Sequence, residues 1–127
     1  MAKITTSEKS QAFVYDFNTD GGGIGTINMG DFIPIGAVIW FGFIKVIVNF
    51  ASGGAATIAI GFAGNTGALV NPIAYTSLVN GAIITGVNLP VAPVLMTAQR
   101  QLAITIAGAP VTAGELVYEC RYTEWNI

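Results

Sequence analysis

The sequence predicts an all-β protein, a single antiparallel β-sandwich that is jelly-roll-like. Three observations carry this expectation. Apolar residues recur at alternate positions in several runs, the period of a strand with one buried face. Clusters of Gly, Pro and Asn separate the runs and supply reversals. No segment shows the stripe of an amphipathic helix, so stacked sheets remain the way to bury a core.

In chain order, residues 1–10 are polar and read as an N-terminal arm, with the sandwich domain spanning 11–127. The first strand starts at Gln11, with Phe13, Tyr15 and Phe17 on one side and Ala12, Val14 and Asp16 on the other. TDGGGIGT follows as a reversal; it lacks the Lys-Ser/Thr of a phosphate loop, and no helix follows it.

Residues 32–51 are apolar and long enough to be weighed as a membrane span. Pro34, Lys45 and Asn49 argue against that, as does the lack of flanking Lys/Arg clusters. The run also splits by parity. Val38, Trp40, Gly42, Ile44, Val46, Val48 and Phe50 form a set without polar side chains, whereas Ala37, Ile39, Phe41, Phe43, Lys45, Ile47 and Asn49 form the other. With its β-branched and aromatic content it reads as one long strand, with Trp40 in the core. Ser52-Gly53-Gly54 ends the strand, and Ile58, Ile60 and Phe62 then alternate inward against Thr57, Ala59 and Gly61, predicting a hairpin.

A long connection rich in Gly, Asn and Pro comes next, with short strands expected at 83–85 and 94–97 and at most a helical turn near 73–78. In the tail, Leu102, Ile104 and Ile106 point inward, APVTAG turns, and Leu116, Tyr118, Cys120 and Tyr122 share a face. This predicts a second hairpin.

Composition limits the function. Only 9% of the residues are charged, and mean hydropathy is +0.65, more apolar character than one small domain is expected to bury alone. Ile39, Phe41 and Phe43 make the first half of the long strand apolar on both faces, and Trp125 stands near the C-terminus. These four residues are the candidate oligomer or capsid interface. The five basic residues are scattered and the net charge is −2, which argues against a nucleic-acid partner. MAKITTSEKSQ has no apolar h-region, so no signal peptide is expected.

There is no histidine, which excludes His-containing triads and the commonest metal ligand. Nothing in the spacing of the seven carboxylates selects a glycosidase pair. Asp16, Asp20 and Asp31 could serve calcium with carbonyls of the glycine loop, but the EF-hand pattern is missing. Cys120 reads as a small core hydrophobe. The expectation is a non-enzymatic, interface-rich domain with no catalytic residues, cofactor or metal and no membrane partner.

Ile33, Pro34, Gly36, Ala37 and Ile39, then Thr57, Ile58, Ile60 and Gly61, then Thr112, Ala113, Gly114, Leu116 and Tyr118 form a pattern that resembles small virion structural proteins of tailed bacteriophages. The resemblance covers residues 33–122. It implies a capsid decoration or auxiliary protein, or the base of a head fibre, often trimeric, on the virion surface after assembly in the host cytoplasm, with the major capsid protein or other virion proteins as partners. A receptor- or carbohydrate-binding module of a tail or fibre is the alternative, ahead of a membrane protein using 32–51.

Overall fold

The computed structural model describes residues 5–85 and 93–126, with the side chain of Asn126 left aside. Among these residues nine strands form two antiparallel sheets: β1 (Thr5–Asp16), β2 (Gly25–Ile33), β3 (Val38–Ser52), β4 (Thr57–Phe62), β5 (Asn65–Ala74), β6 (Ile83–Thr85), β7 (Val94–Leu95), β8 (Arg100–Ala107) and β9 (Val111–Asn126). Sheet A runs β1-β9-β3-β6, with β7 also on β3, and sheet B runs β2-β8-β4-β5.

This order is a jelly roll. The chain is one long hairpin folded at Ala63 and Gly64, in which β1 pairs β9, β2 pairs β8, β3 pairs β6 and β4 pairs β5. Rolling it up lays β9 beside β3 and β8 beside β4. Of the links that cross from sheet to sheet, those between β1 and β2, β8 and β9, β3 and β4, and β5 and β6 run side by side. Val111 N donates to Gly22 O, Ser52 Oγ to Pro110 O and Tyr75 N to Ala56 O, stitching each link to its neighbour.

Two expected hairpins are corrected. β3 and β4 lie in different sheets, as do β8 and β9, so each pair is an arch over the core. Both members of such a pair have an inward apolar face, a pattern a hairpin and an arch share. Thr112, Ala113 and Gly114 lie within β9 rather than in a turn. There Phe50 packs on the backbone of Gly114, whose φ of +145° and missing Cβ leave room for the ring. Thr5–Ser10 are also strand, paired with the end of β9, so β1 runs through most of the segment read as an arm; residues 1–4 and 127 lie outside the described residues.

The core lies between the sheets. Phe13, Tyr15, Ile44, Val46, Leu116, Tyr118 and Cys120 from sheet A meet Ile58, Ile60, Phe62, Leu102, Ile104 and Ile106 from sheet B. Burying such side chains stabilises by about 1.5–3 kcal/mol each before entropy is counted. Gly42 is needed because the Tyr118 ring and hydroxyl fill the space of a Cβ.

The parity of β3 holds in the middle and fails at both ends. Gly42, Ile44, Val46 and Phe50 face inward, but Ile39 is 4% exposed and sits in the core, while Trp40 is 45% exposed and Val48 also faces out. The pairing with β9 shifts register between Ile39 and Phe41 and again between Val46 and Val48. Each bulge inserts a residue and exchanges the faces. Ile39 is therefore withdrawn as an interface residue and Trp40 as a core residue. Residues 32–51 end β2, turn, and form most of β3, and no helix among the described residues is long and apolar enough to cross a membrane.

Candidate interaction surface

Register builds the outer face of sheet A row by row. Val38 lies between Thr123 and Leu95, Phe41 beside Arg121, Phe43 between Glu119 and Thr85, and Lys45 between Val117 and Ile83. On the other side of β9, Glu8, Ser10, Ala12 and Val14 of β1 continue the rows. The half on β3, β6 and β7 is therefore mainly apolar, and the half on β1 and β9 carries the charges.

The bulge at Trp40 places two consecutive aromatics on the surface. Trp40 and Phe41 have ring centroids 6.2 Å apart, and Phe41 and Phe43 6.1 Å, forming a strip of three tilted rings. Leu95 extends the strip across β7, where Met96 and residues 36–37 exchange two backbone hydrogen bonds of 2.8 Å. Trp125, opposite Thr6 at the end of β9, is also exposed. Of the sequence candidates, Phe41 and Phe43 are thus adjacent, Trp125 stands at the neighbouring strand's end, and Ile39 is beneath. Trp40, Leu95 and Ile83 join this face without having been expected there; a bulge and two very short strands put them there, and neither leaves a period to read.

Arg121 lies 3.8 Å from both Glu8 and Glu119, and Lys9 is 3.2 Å from Glu124. These exposed pairs add little to stability, roughly 0–1 kcal/mol each. Arg121, Glu8 and Glu119 lie on the same face as the aromatic strip, as does Lys45 in the next row of β3, while Lys9 and Glu124 belong to the opposite parity of β1 and β9.

The outer face of sheet B differs. Thr57, Ala59 and Gly61 of β4 sit beside Ala103 and Thr105 of β8, and Thr26 of β2 shares a 2.9 Å hydroxyl contact with Thr105. Backbone of residues 65–68 folds over Gly61, filling the place of a Cβ.

Asp16 accepts from the Asn18 N–H and its own N–H donates to Asp20, so both carboxylates cap the one-turn helix α1 (Phe17–Asp20). Asp31 is six residues along β2 from Gly25, about 20 Å at strand rise, and does not join them. A cleft of 160 Å³ is lined by Asp16, Val48 and Glu115 among others. No group of three His, Cys, Asp or Glu able to hold a metal occurs among the described residues. Burial, with the Asp20 and Asp16 charges behind it, pushes the Tyr15 phenol up to about 12, and its hydroxyl donates to the Gly21 carbonyl. Burial likewise raises Tyr118, and pushes the Cys120 thiol up to about 12. A thiol held protonated in the core is the reverse of an activated nucleophile.

The fold defines an all-β jelly-roll class, and solved structures share it. The chain is similar to a chain in the capsid structure of Helicobacter pylori bacteriophage KHP30 (TM-score 0.67, 12% identity, 98% of this chain and 99% of that one). It is similar to a chain of the cyanophage Pam1 capsid asymmetric unit (0.66, 13%, 93% and 85%) and to one in the capsid of Ralstonia phage GP4 (0.53, 16%, 94% and 83%). At these identities the likeness is one of fold. No protein-family model matches the chain, and no curated protein matches it.

Proposed function

We propose that this chain is a non-enzymatic structural protein of a phage virion, a capsid decoration or auxiliary protein or the base of a head fibre, assembled as a homo-oligomer on the capsid. The observation that carries the reading is the match of nearly the whole chain to nearly the whole of a chain in a phage capsid structure. The strip of exposed Trp40 and Phe41 with half-buried Phe43 supports it, because a face of large apolar side chains is the kind consumed in protein contacts. Phe41, Phe43 and Trp125 remain the interface residues of this reading, with Trp40 and Leu95 added. A trimer is the favoured state, and the major capsid protein or another virion protein is the partner. The protein then resides on the virion surface after assembly in the host cytoplasm, and needs neither nucleic acid nor a membrane.

Repeated copies on a capsid add weak single contacts through multivalency. With no concentrated field of either sign in the sequence, docking should vary little with salt. The test is native mass spectrometry over a range of concentrations, followed by binding to empty capsids at low and high salt. A stable trimer that binds capsids at both salts is expected. A monomer that ignores capsids and binds a glycan through the aromatic strip would overturn the reading in favour of a receptor- or carbohydrate-binding module.

A further inference from the structure

The four outermost strand positions are not alike. In sheet B, β2 is interrupted by a register shift between Asn28 and Phe32, and β5 carries Pro72 and two register shifts against β4. On the far side of sheet A, β6 and β7 have three and two residues. Bulges, prolines and short strands are the devices that stop one sheet from adding to another. β1 has none of these. It is a 12-residue edge strand without Gly or Pro, paired with β9 in unbroken register, and its residues Thr6–Ser10 are exposed. The charge that could guard it is spent within the chain, since Lys9 pairs with Glu124 and Glu8 with Arg121.

We propose that the β1 edge is a pairing site for the β1 edge of a second copy, forming an antiparallel two-fold contact that joins the two A sheets. The strand's own sequence selects the occupant. A two-fold axis normal to the sheet keeps outer faces together, so the two residues opposite each other must sum to an even number. With the axis at Ser10, Thr6 meets Val14, Ser7 meets Phe13, Glu8 meets Ala12 and Lys9 meets Gln11, with Gly30 of β2 lying beside Gln11–Phe13 at one end of the contact. No like charges oppose, and Thr6 and Val14 make a β-branched pair. Moving the axis to Lys9 or Glu8 would set a charge against itself. This contact goes beyond the virion reading and uses a different surface from the aromatic strip.

Ser10 gives the test, because it faces itself across the axis. Cβ atoms of opposed residues lie about 4.5–5.5 Å apart, close to disulfide reach. Ser10→Cys in the full chain is expected to form a disulfide-linked dimer under mild oxidation. Ser7→Cys is expected not to, since the two copies of residue 7 would be about 20 Å apart. Cys120 is buried and does not compete. Ser10→Glu places two carboxylates at the axis while giving Arg121 of its own chain a partner across the strands, so dimer affinity should fall at least tenfold with the fold intact. Absence of the Ser10→Cys crosslink, equal crosslinking at residue 7, or unchanged association of Ser10→Glu would overturn the proposal. Capsid binding by the Ser10→Glu protein separates this result from the virion reading.

Discussion

On the outer face of sheet B lie Thr26, Asn28, Thr57 and Thr105, with Ala59 and Ala103 buried among them and Phe32 exposed near the end of β2; on that of sheet A the side chains include Trp40, Phe41, Phe43, Ile83 and Leu95. Both sheets bury comparable inner faces of Ile, Leu, Val and aromatic residues. Small and hydroxyl-bearing residues finish the middle of sheet B, where β4 meets β8, and a large apolar side chain, Phe32, is exposed only towards its β2 edge. The large apolar residues of sheet A contribute little to closing the core, and their position is better explained by contact with something outside the chain.

The largest expected effect concerns the layer common to both sheets. The Cys120 thiol is raised from 9.0 to about 12 in the folded chain and the Tyr15 phenol from 10.0 to about 12. Their folded values exceed the unfolded ones, so the unfolded chain loses these protons first. Stability is then full below about pH 9 and falls as pH rises towards 12. Urea midpoints across that window should drop steeply, and Cys120→Ala should weaken the dependence. A flat profile would mean that the buried layer opens more easily than the two faces imply.

Ile44→Ala should cost about 2–5 kcal/mol, the usual range for a large buried aliphatic, whereas Trp40→Ala should cost clearly less because that ring is half-exposed. Equal losses in urea melts would break the distinction between the inside and outside of β3. On sheet B, Gly61→Ala should cost roughly 1–3 kcal/mol by overpacking against residues 65–68. A smaller loss would mean that this cover is loosely held.

Replacing Phe41 and Phe43 with Ser should leave the melting temperature within a few degrees and abolish capsid binding or oligomerisation, read by native mass spectrometry. The same measurements on Thr105→Ser should show no change in association. The smallest effect is the Thr26 and Thr105 pair, whose coupling in a double-mutant cycle should be about 0.2–1 kcal/mol.

Strand alternation was enough to find the second half of β1, the middle of β3, β4, β8 and most of β9 with their inward residues, because a buried face leaves a period of two in the sequence, whereas Phe17, expected in the first strand, opens the one-turn helix. Short strands near 83–85 and 94–97 were legible from their flanking Gly and Pro. β2 and β5 were not: the start of β2 falls in the glycine-rich reversal and the strand itself is broken by a register shift, and β5 contains Pro72 and two register shifts, each of which erases the period.

The sequence by itself determined the class of fold, the inward set of the regular strands and the absence of histidine chemistry. Only the tertiary structure decided which strands are neighbours, since an inward face is compatible with pairing to either sheet and both expected hairpins proved to be arches. It also decided that Ile39 lies inside and Trp40 outside. A bulge is a mismatch between two strands, set by how β3 fits β9, and so it is written in neither strand alone.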